Sequence, residues 1–288
     1  MKNVIKTPAK INLFLKITGV DSASGYHYLE TLMSPVNLFD ELTISRADVF
    51  HVITNGIKEA IKTENNITYK IYRATEKYIK DPLPKYNVVI EKNIPTGAGL
   101  GGGSSNGAAF LKFLNNDCDL NLNMDQMTEI AAEVGSDIPF FLYDSPAFVS
   151  GTGNIIEPVK ISVPHYRMLL VYPGISVNTK LAYQLYDKKN LTKQRCMDIN
   201  PVRKSGFCSL NNWASEIVND FEETVFEHWS GIKDMKCLLE ELGAEKVFMS
   251  GSGSSLVALF ADQAKRAKAK TKLSNTVNVV RDIELLTG

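Results

Sequence analysis

A glycine-rich run with the sequence PTGAGLGGGSS, at residues 95–105, points most clearly to chemistry. Glycine at this density costs backbone entropy unless the chain must adopt positive φ or let another group approach closely. Successive backbone N–H groups in such a turn, with the unpaired donors at the start of a following helix, form a cradle for phosphate oxygens. The hydroxyls of Ser104 and Ser105 add further donors. The run therefore predicts a phosphate-binding loop.

Other interpretations of this run are a flexible linker or a tight packing turn, because short glycine motifs are common by chance. A P-loop is disfavoured, since the pattern GxxxxGK[ST] is missing and no lysine follows the glycines. A dinucleotide-binding fold is disfavoured as well, because its strand, loop and helix would open the chain.

The flanking patterns predict the elements that hold the loop. A strand is expected at 87–90 and a helix beginning near Ser105, so the loop joins a strand to a helix. A second helix is expected at 124–134, ending near Gly135; Asp137 then lies on a turn before Pro139 and an apolar, strand-like run. Further strands are expected at 10–17, 38–44, 166–172, 246–249, 256–260 and 277–280, and further helices around Ala182 and at 219–227, 232–242 and 265–272. This alternation indicates an α/β (α+β) protein, which we divide into domains 1–160 and 161–288.

Composition excludes several classes of function. Thirty-two basic and 32 acidic residues give a formal net charge of zero, so no overall field draws the chain to nucleic acid or an anionic membrane. The cysteines, Cys118, Cys196, Cys208 and Cys237, have neither CxxC pairs nor histidines at metal-ligand spacing, which disfavours a zinc site or a disulfide framework. Lysines interrupt the apolar amino terminus and no run reaches transmembrane length. We expect a cytoplasmic monomer or homodimer whose partner is a small molecule.

Two further motifs accompany the glycine-rich run: PAKINLFLKITG at 8–19 and SGSGSS at 250–255. The three motifs together resemble those of the GHMP kinases, named for galactokinase, homoserine kinase, mevalonate kinase and phosphomevalonate kinase. They span nearly the whole chain. The resemblance implies an ATP-dependent small-molecule kinase with the two-lobed GHMP kinase fold. Its amino-terminal lobe would be ribosomal-protein-S5-like with a left-handed crossover, its carboxyl-terminal lobe ferredoxin-like, and ATP would meet the alcohol in the cleft between them.

Three details are similar to one branch of this family, which phosphorylates a cytidine-diphosphate-linked sugar alcohol for non-mevalonate isoprenoid synthesis. They are GYH at 25–27, GLGGGSSN at 99–106 and SDIPFF at 136–141. The chain departs from the usual pattern at Ala98, Gly107 and Ser136, none of which removes a chemical group. Ala98 would matter only if its position required positive φ. The polar insert at 188–205 matches nothing that we can identify.

The resemblance assigns catalysis to Lys10 and Asp137. Phosphoryl transfer to an alcohol requires aligned reactants, neutralised charge on the γ-phosphate and an acceptor for the hydroxyl proton. Asp137 would accept that proton, while Lys10 beside it would keep the carboxylate ionised and stabilise the alkoxide or the transferring group. Outside the motifs, Asp137 would be interpreted as a turn residue and Lys10 as an exposed strand lysine.

The resemblance also implies the contacts to nucleotide and acceptor. The ATP site would consist of Pro95, Thr96, Gly97, Ala98, Gly99, Leu100, Gly101, Gly102, Gly103, Ser104, Ser105 and Asn66. The acceptor would contact Asn12, Tyr26, His27, Thr179 and Tyr183. Tyr26 and Tyr183 would sandwich cytosine while His27 hydrogen-bonds its edge. A helix cap explains Asn66 equally well, and a turn with a half-buried tyrosine explains the GYH segment.

ATP is therefore the expected co-substrate, and Mg²⁺ should accompany it, with Ser105 as a candidate ligand and no carboxylate indicated. Two alternatives stay open. Another GHMP kinase, for homoserine or mevalonate, is favoured if Tyr26, His27 and Tyr183 lie far from the alcohol site. A catalytically silent GHMP-fold binding protein would lack the lysine and aspartate pair.

Overall fold

Two β-sheets with packed helices make up the fold. The computed structural model describes residues 2–22, 25–56, 61–161, 166–190, 216–274 and 277–286. One sheet is built from residues 3–158 and the other from residues 167–283. This mixed content confirms the predicted α/β (α+β) class. Most of the insert at 188–205, together with Cys196 and Cys208, lies outside the described residues.

The first sheet is organised around a long antiparallel hairpin. Its strands are β1 (Asn3–Val20), β2 (His27–Arg46), β3 (His51–Asn55), β4 (Tyr86–Glu91), β5 (Ala147–Ser150) and β6 (Ile155–Pro158). The order is β3-β4-β2-β5-β6, and β1 pairs with β2 beside this path. Register shifts between Pro8 and Ala9 and between Asn12 and Phe14 bend the hairpin. Residues 9–15 of β1 are all buried, so the strand has protein on both faces.

Helices α1 (Ile67–Thr75), α2 (Gly102–Asp117) and α3 (Met124–Val134) pack together over this sheet. Their core includes the fully buried rings of Tyr72 and Phe110. Helix α3 begins with a capping box, in which Asn123 and Gln126 each accept a hydrogen bond from the other's backbone N–H. It ends where Gly135 donates its N–H to the carbonyl of Ala131. The predicted helix at 124–134 is confirmed.

The second sheet is antiparallel throughout. It consists of β7 (Arg167–Tyr172), β8 (Lys246–Met249), β9 (Leu256–Phe260) and β10 (Val279–Ile283), in the order β10-β7-β9-β8. The accompanying helices are α4 (Thr179–Asn190), α5 (Glu222–His228), α6 (Ser230–Glu241) and α7 (Gln263–Leu273). This succession of strands and helices is the ferredoxin-like pattern. None of the helices in the described ranges combines the length and apolar character needed to cross a bilayer.

One hydrophobic cluster joins the two sheets. It packs Ile11 and Leu13 of β1 against Phe248 of β8 and against Val257 and Leu259 of β9. All five side chains are at most 1% exposed. The shared cluster explains why β1 is buried on both faces, and it fixes the polar residues of β1 relative to the second sheet.

Two local predictions around the site are wrong. The strand-like run after Asp137 is a short 3₁₀ helix, Pro139–Leu142, and the strand begins only at Ala147. Proline at the first helical position favours this turn because its φ is already helical. Helix α2 begins at Gly102 rather than near Ser105, so the helix includes part of the glycine run.

Truncating the shared cluster should destabilise the protein. We expect Phe248→Ala to lower the free energy of unfolding by about 3–5 kcal/mol, because a large buried ring is lost and leaves a cavity. Chemical denaturation measures this change. Val49→Ala, at a side chain 73% exposed, is the control and should stay within about 0.5 kcal/mol of the parent. Equal stability of the two variants would contradict the role given to the cluster.

Candidate active site

A cavity of about 630 Å³ lies where the three sequence motifs meet. Its walls come from β1, the glycine-rich run, the turn after α3, the start of α4 and the loop between β8 and β9. Among the predicted site residues, those lining it are Lys10, Asn12, Asn66, Pro95, Thr96, Gly97, Ala98, Gly99, Leu100, Gly101, Gly102, Gly103, Ser104, Asp137, Thr179 and Tyr183. The structure therefore brings most of the predicted site together in one cleft.

Three glycines in the run adopt conformations that other residues rarely take. Gly97, Gly99 and Gly101 have φ values of 66°, 77° and 66°. A Cβ atom on Gly99 would lie 2.1 Å from the carbonyl oxygen of Ser250, so glycine is required there by close approach as well as by φ. Ala98 does not have positive φ, so alanine fits at this position, where the resemblance led us to expect glycine.

Helix α2 opens directly onto the cleft. Gly101, its N-cap, has left-handed backbone geometry and makes no side-chain capping bond. Gly102, Gly103 and Ser104 in the first turn line the cavity. The first N–H groups of a helix have no intrahelical acceptor, and the helix dipole places partial positive charge at this end. This end of the cleft is thus suited to bind an anion such as phosphate.

Hydrogen bonds connect the glycine run to the two other motifs. Lys10 of β1 donates its backbone N–H to Leu100 O at 2.9 Å. Ser255 donates its backbone N–H to Ala98 O at 3.1 Å, and the Ser250 hydroxyl donates to Gly99 O at 3.0 Å. Three segments distant in sequence are thereby hydrogen-bonded into one unit around the cleft.

Lys10 and Asp137 lie close together at the centre of this unit. The Lys10 Nζ is 3.7 Å from Asp137 Oδ2, and the two side chains are 4% and 37% exposed. Burial lowers the pKa of Lys10, and the nearby Asp137 carboxylate partly opposes that change. Lys10 is therefore a buried cation, and the carboxylate of Asp137 beside it is accessible from the cleft.

Asn12 fixes the position of the lysine. Its side-chain oxygen accepts a hydrogen bond from Lys10 Nζ at 2.5 Å, and its amide nitrogen donates to Thr31 Oγ1 at 2.8 Å. Thr31 in turn donates to the carbonyl of Phe14 at 2.5 Å. Because both ends of the amide are bound, Asn12 presents its oxygen to the lysine.

The residues predicted to contact a base are only partly assembled. The His27 ring stacks on Tyr183, with centroids 4.3 Å apart, and its Nε2 lies 2.7 Å from Asp187 Oδ1. Burial, followed by the charges of Asp137 and Asp187, raises the pKa of Tyr183 to about 12. Tyr26 is 67% exposed, and neither Tyr26 nor His27 is among the residues that line the cleft. Here the imidazole, rather than Tyr26, lies against Tyr183.

Three other predicted residues have contacts of their own. Asn66 is the N-cap of α1, its oxygen accepting from Thr68 N, although it also borders the cleft. Thr179 and Ser252 share a hydrogen bond of 2.9 Å that joins α4 to the loop between β8 and β9. Ser105 does not line the cleft but borders a separate cavity beside Lys112.

The sequence interpretation missed one charged residue in the cleft. Lys92 lines it, and its ammonium pairs with the fully buried Asp40. The second carboxylate oxygen of Asp40 accepts the N–H groups of Asn93 and Ile94 at 2.8 Å each. Asp40 thus fixes the residues that lead into the glycine run. The sequence offered one signal for this residue, namely a lysine in EKNIP (91–95), directly before the glycine-rich run.

Comparison with known proteins gives consistent results along the chain. The family models "GHMP kinases N terminal domain" and "GHMP kinases C terminal" match residues 66–145 and 207–279. A 4-diphosphocytidyl-2-C-methyl-D-erythritol kinase from Azobacteroides pseudotrichonymphae genomovar. CFP2 is 37% identical, with 88% of this chain and 91% of the relative aligned.

Solved structures agree with this result. A 4-(cytidine 5'-diphospho)-2C-methyl-D-erythritol kinase superposes with a TM-score of 0.75 at 26% identity, covering 99% of this chain and 100% of the other. A mevalonate kinase superposes with a TM-score of 0.69 at 14% identity, covering the same shares of the two chains. The second likeness concerns the fold alone.

The close approach at Gly99 generates a prediction. Gly99→Ala should weaken ATP binding by roughly tenfold or more, because φ strain of about 1 kcal/mol adds to the clash with Ser250 O. Isothermal titration with a non-hydrolysable ATP analogue measures this. Gly25→Ala is the matched control, since Gly25 also has positive φ but its Cβ would have no neighbour within 4 Å. An equal loss of ATP affinity in Gly99→Ala and Gly25→Ala would show that the close approach of residue 99 to Ser250 is not the cause.

Proposed function

The chain belongs to the 4-diphosphocytidyl-2-C-methyl-D-erythritol kinases, a family within the GHMP kinases, and we propose that it transfers the γ-phosphoryl group of ATP to the 2-hydroxyl of that alcohol. The products are the 2-phosphate and ADP. The observation that carries this proposal is the contact between Lys10 and Asp137 within a cleft edged by both glycine-rich loops. The family resemblance predicted from the motifs is confirmed, and with it the kinase class.

The nucleotide phosphates are bound mainly by backbone groups. The glycine run and the first turn of α2 direct N–H groups and the helix dipole to one end of the cleft. Lys10 brings its ammonium group to the transferring group, and its burial in a low-dielectric environment strengthens that interaction. Asn66 and Thr96 border the same cavity and would contact the nucleoside end.

Asp137 acts as the general base. It accepts the proton of the acceptor hydroxyl as that oxygen forms its bond to the γ-phosphorus, and the bond to the bridging oxygen breaks to release ADP. Its carboxylate is 37% exposed, which leaves it accessible to the alcohol. Lys10 then stabilises the negative charge that spreads over the transferring group. Asn12 keeps the ammonium in position throughout.

Magnesium would enter the cleft with the nucleotide. Among the described residues, no group of three or more histidine, cysteine, aspartate or glutamate side chains could hold a metal ion. Asp137 is the one carboxylate among the described residues that line the cleft. This sparse donor set fits Mg²⁺, which often takes one or two protein ligands with phosphates and water, and which neutralises phosphate charge. Ser105, the ligand that the sequence suggested, does not line the cleft.

The opposite end of the cleft accepts the cytidyl group. Tyr183 lines the cleft, and the imidazole of His27, which is stacked on the Tyr183 ring, would supply hydrogen-bonding nitrogens. Tyr26 is exposed and would supply a second aromatic ring to the base. Thr179, at the start of α4, lies between this end and the loop that contains Ser252.

A substrate panel tests the choice of alcohol. With Mg-ATP, the protein should form ADP with 4-diphosphocytidyl-2-C-methyl-D-erythritol and not with mevalonate or homoserine. Coupled ADP detection measures this, and mass spectrometry locates the phosphate. If only mevalonate or homoserine were phosphorylated, the proposed substrate would be wrong. If none of the alcohols were phosphorylated, the protein would be better explained as a catalytically silent binding protein.

Removing the proposed base tests the mechanism. Asp137→Asn should lower kcat by roughly 10²- to 10⁴-fold, because the amide cannot accept the proton. The affinity for ATP should change less than about threefold. Asp144→Asn is the control, since Asp144 is an exposed aspartate on the same segment and asparagine tolerates its positive φ. Parental kcat in Asp137→Asn would exclude Asp137 as the base.

A further inference from the structure

A short segment before α5 connects β1 to the loop between β8 and β9. Leu15 donates its backbone N–H to Val218 O at 2.9 Å, and Asp220 donates its backbone N–H to Leu15 O at 3.0 Å. The Asp220 carboxylate also accepts the N–H of Ile17 at 2.9 Å. The segment is therefore fixed on the strand that carries the catalytic lysine. Within it stands Asn219, which belongs to none of the three motifs.

The side-chain amide of Asn219 is fully hydrogen-bonded. Its nitrogen donates to Met249 O and to Gly251 O, both at 2.8 Å. Its oxygen accepts the N–H of Phe221 at 3.0 Å. The reverse orientation of the amide would set its oxygen against two carbonyl oxygens, so the side chain has a single orientation. One amide on the β1 side therefore binds two carbonyl groups at the start of the SGSGSS loop.

The loop residues next to this amide lie at the reacting centre. Gly251 and Ser252 both line the cleft. Gly251 has a φ of 58°, and a Cβ placed on it would lie 3.2 Å from Lys10 Nζ. Within the described residues, neither Gly251 nor Ser252 donates its backbone N–H to a protein acceptor. The loop therefore has unused donors near the catalytic ammonium.

Peptide geometry links the Asn219 contact to one of these donors. The carbonyl of Gly251 and the N–H of Ser252 belong to the same peptide, which is trans. A trans peptide is planar, and its C=O and N–H point in opposite directions. Because Asn219 binds the carbonyl, it also fixes the N–H, which is directed away from Asn219.

We propose that Asn219 is a positioning residue for phosphoryl transfer, which holds this peptide so that the Ser252 N–H donates to the transferring phosphoryl group. This inference rests on the proposed function. Negative charge spreads over the oxygens of that group in the transition state, and a donor that is already oriented stabilises it without reorganisation. The glycine-rich run and α2 bind the nucleotide before the reaction. Asn219 therefore affects turnover more than ATP binding.

Asn219→Asp tests the positioning role. The carboxylate has nearly the same shape as the amide but no N–H, and it repels both carbonyl groups that the amide binds. We expect kcat on the cytidyl substrate to fall roughly 10- to 100-fold, while the Kd of a non-hydrolysable ATP analogue changes less than about threefold. Steady-state kinetics and isothermal titration measure the two quantities. A parental kcat, or a loss confined to ATP affinity, would overturn the proposal.

Two control variants separate positioning from a general effect on folding. Asn115 makes the same kind of contact away from the cleft, donating to Leu122 O at 3.1 Å and accepting Leu122 N–H at 2.9 Å. Lys236 pairs with Glu222 at 3.0 Å and so supports the segment without touching Asn219. Asn115→Asp and Lys236→Ala should keep the parental kcat. A loss in either control as large as in Asn219→Asp would assign the effect to stability or to docking of the segment, and overturn the proposal.

NMR reads the Ser252 N–H directly. The protein is labelled with ¹⁵N-serine, and the amide signal missing from Ser252→Ala identifies the residue. Mg-ADP with aluminium fluoride mimics the transferring phosphoryl group. On its addition the Ser252 amide proton should shift downfield in the parent and stay in place in Asn219→Asp.

The parent alone makes this measurement decisive, even if Asn219→Asp does not fold. An unmoved Ser252 signal in a parent that phosphorylates the cytidyl substrate would overturn the positioning role and leave the proposed function intact. A parent inactive on every alcohol of the substrate panel would instead overturn the proposed function, and the positioning role with it.

Discussion

The buried ammonium group of Lys10 is the feature around which the cleft is organised. A charge with a side chain only 4% exposed is destabilising unless neighbouring groups compensate for its lost hydration. Asn12 provides one acceptor in direct contact, and Asp137 provides an opposite charge at a longer distance. An anionic ligand in the cleft would add to this compensation, because it would place further negative charge near the ammonium.

The same lysine explains part of the glycine content. A Cβ on Gly101 would lie 3.0 Å from the Lys10 side chain, and a Cβ on Gly251 would lie 3.2 Å from its Nζ. The two glycine-rich loops therefore leave space for the ammonium as well as presenting N–H groups. Since Gly99 also packs directly on the Ser250 carbonyl, the loops meet by backbone contact, which side chains would prevent. Glycine here serves both lysine packing and loop contact.

Sequence reasoning succeeded where the controlling signals are local. Helix α3 was predictable because Asn123, Gln126 and Gly135 mark its ends by hydrogen bonding within a few residues. Sequence reasoning failed where contacts between residues far apart in the sequence determine the structure. The burial of Lys10 depends on a core shared with β8 and β9, and the pairing of Asp40 with Lys92 joins β2 to the segment after β4. Neither contact leaves a periodic pattern in the residues near it.

The GYH segment shows what a short motif leaves open. His27 is the first residue of β2 and Tyr26 lies just before the strand, so the alternation of side chains along the strand does not fix the direction of Tyr26. In the structure His27 packs inward on Tyr183, and Tyr26 is exposed. Two kinds of group therefore line the cleft. One kind is backbone, from the glycine-rich run and the first turn of α2, with Lys10 and Lys92 beside it. The other kind is side chain, from Thr179 and Tyr183 on α4, so substitutions on α4 can change the shape of the cleft without changing the backbone groups of the glycine-rich run.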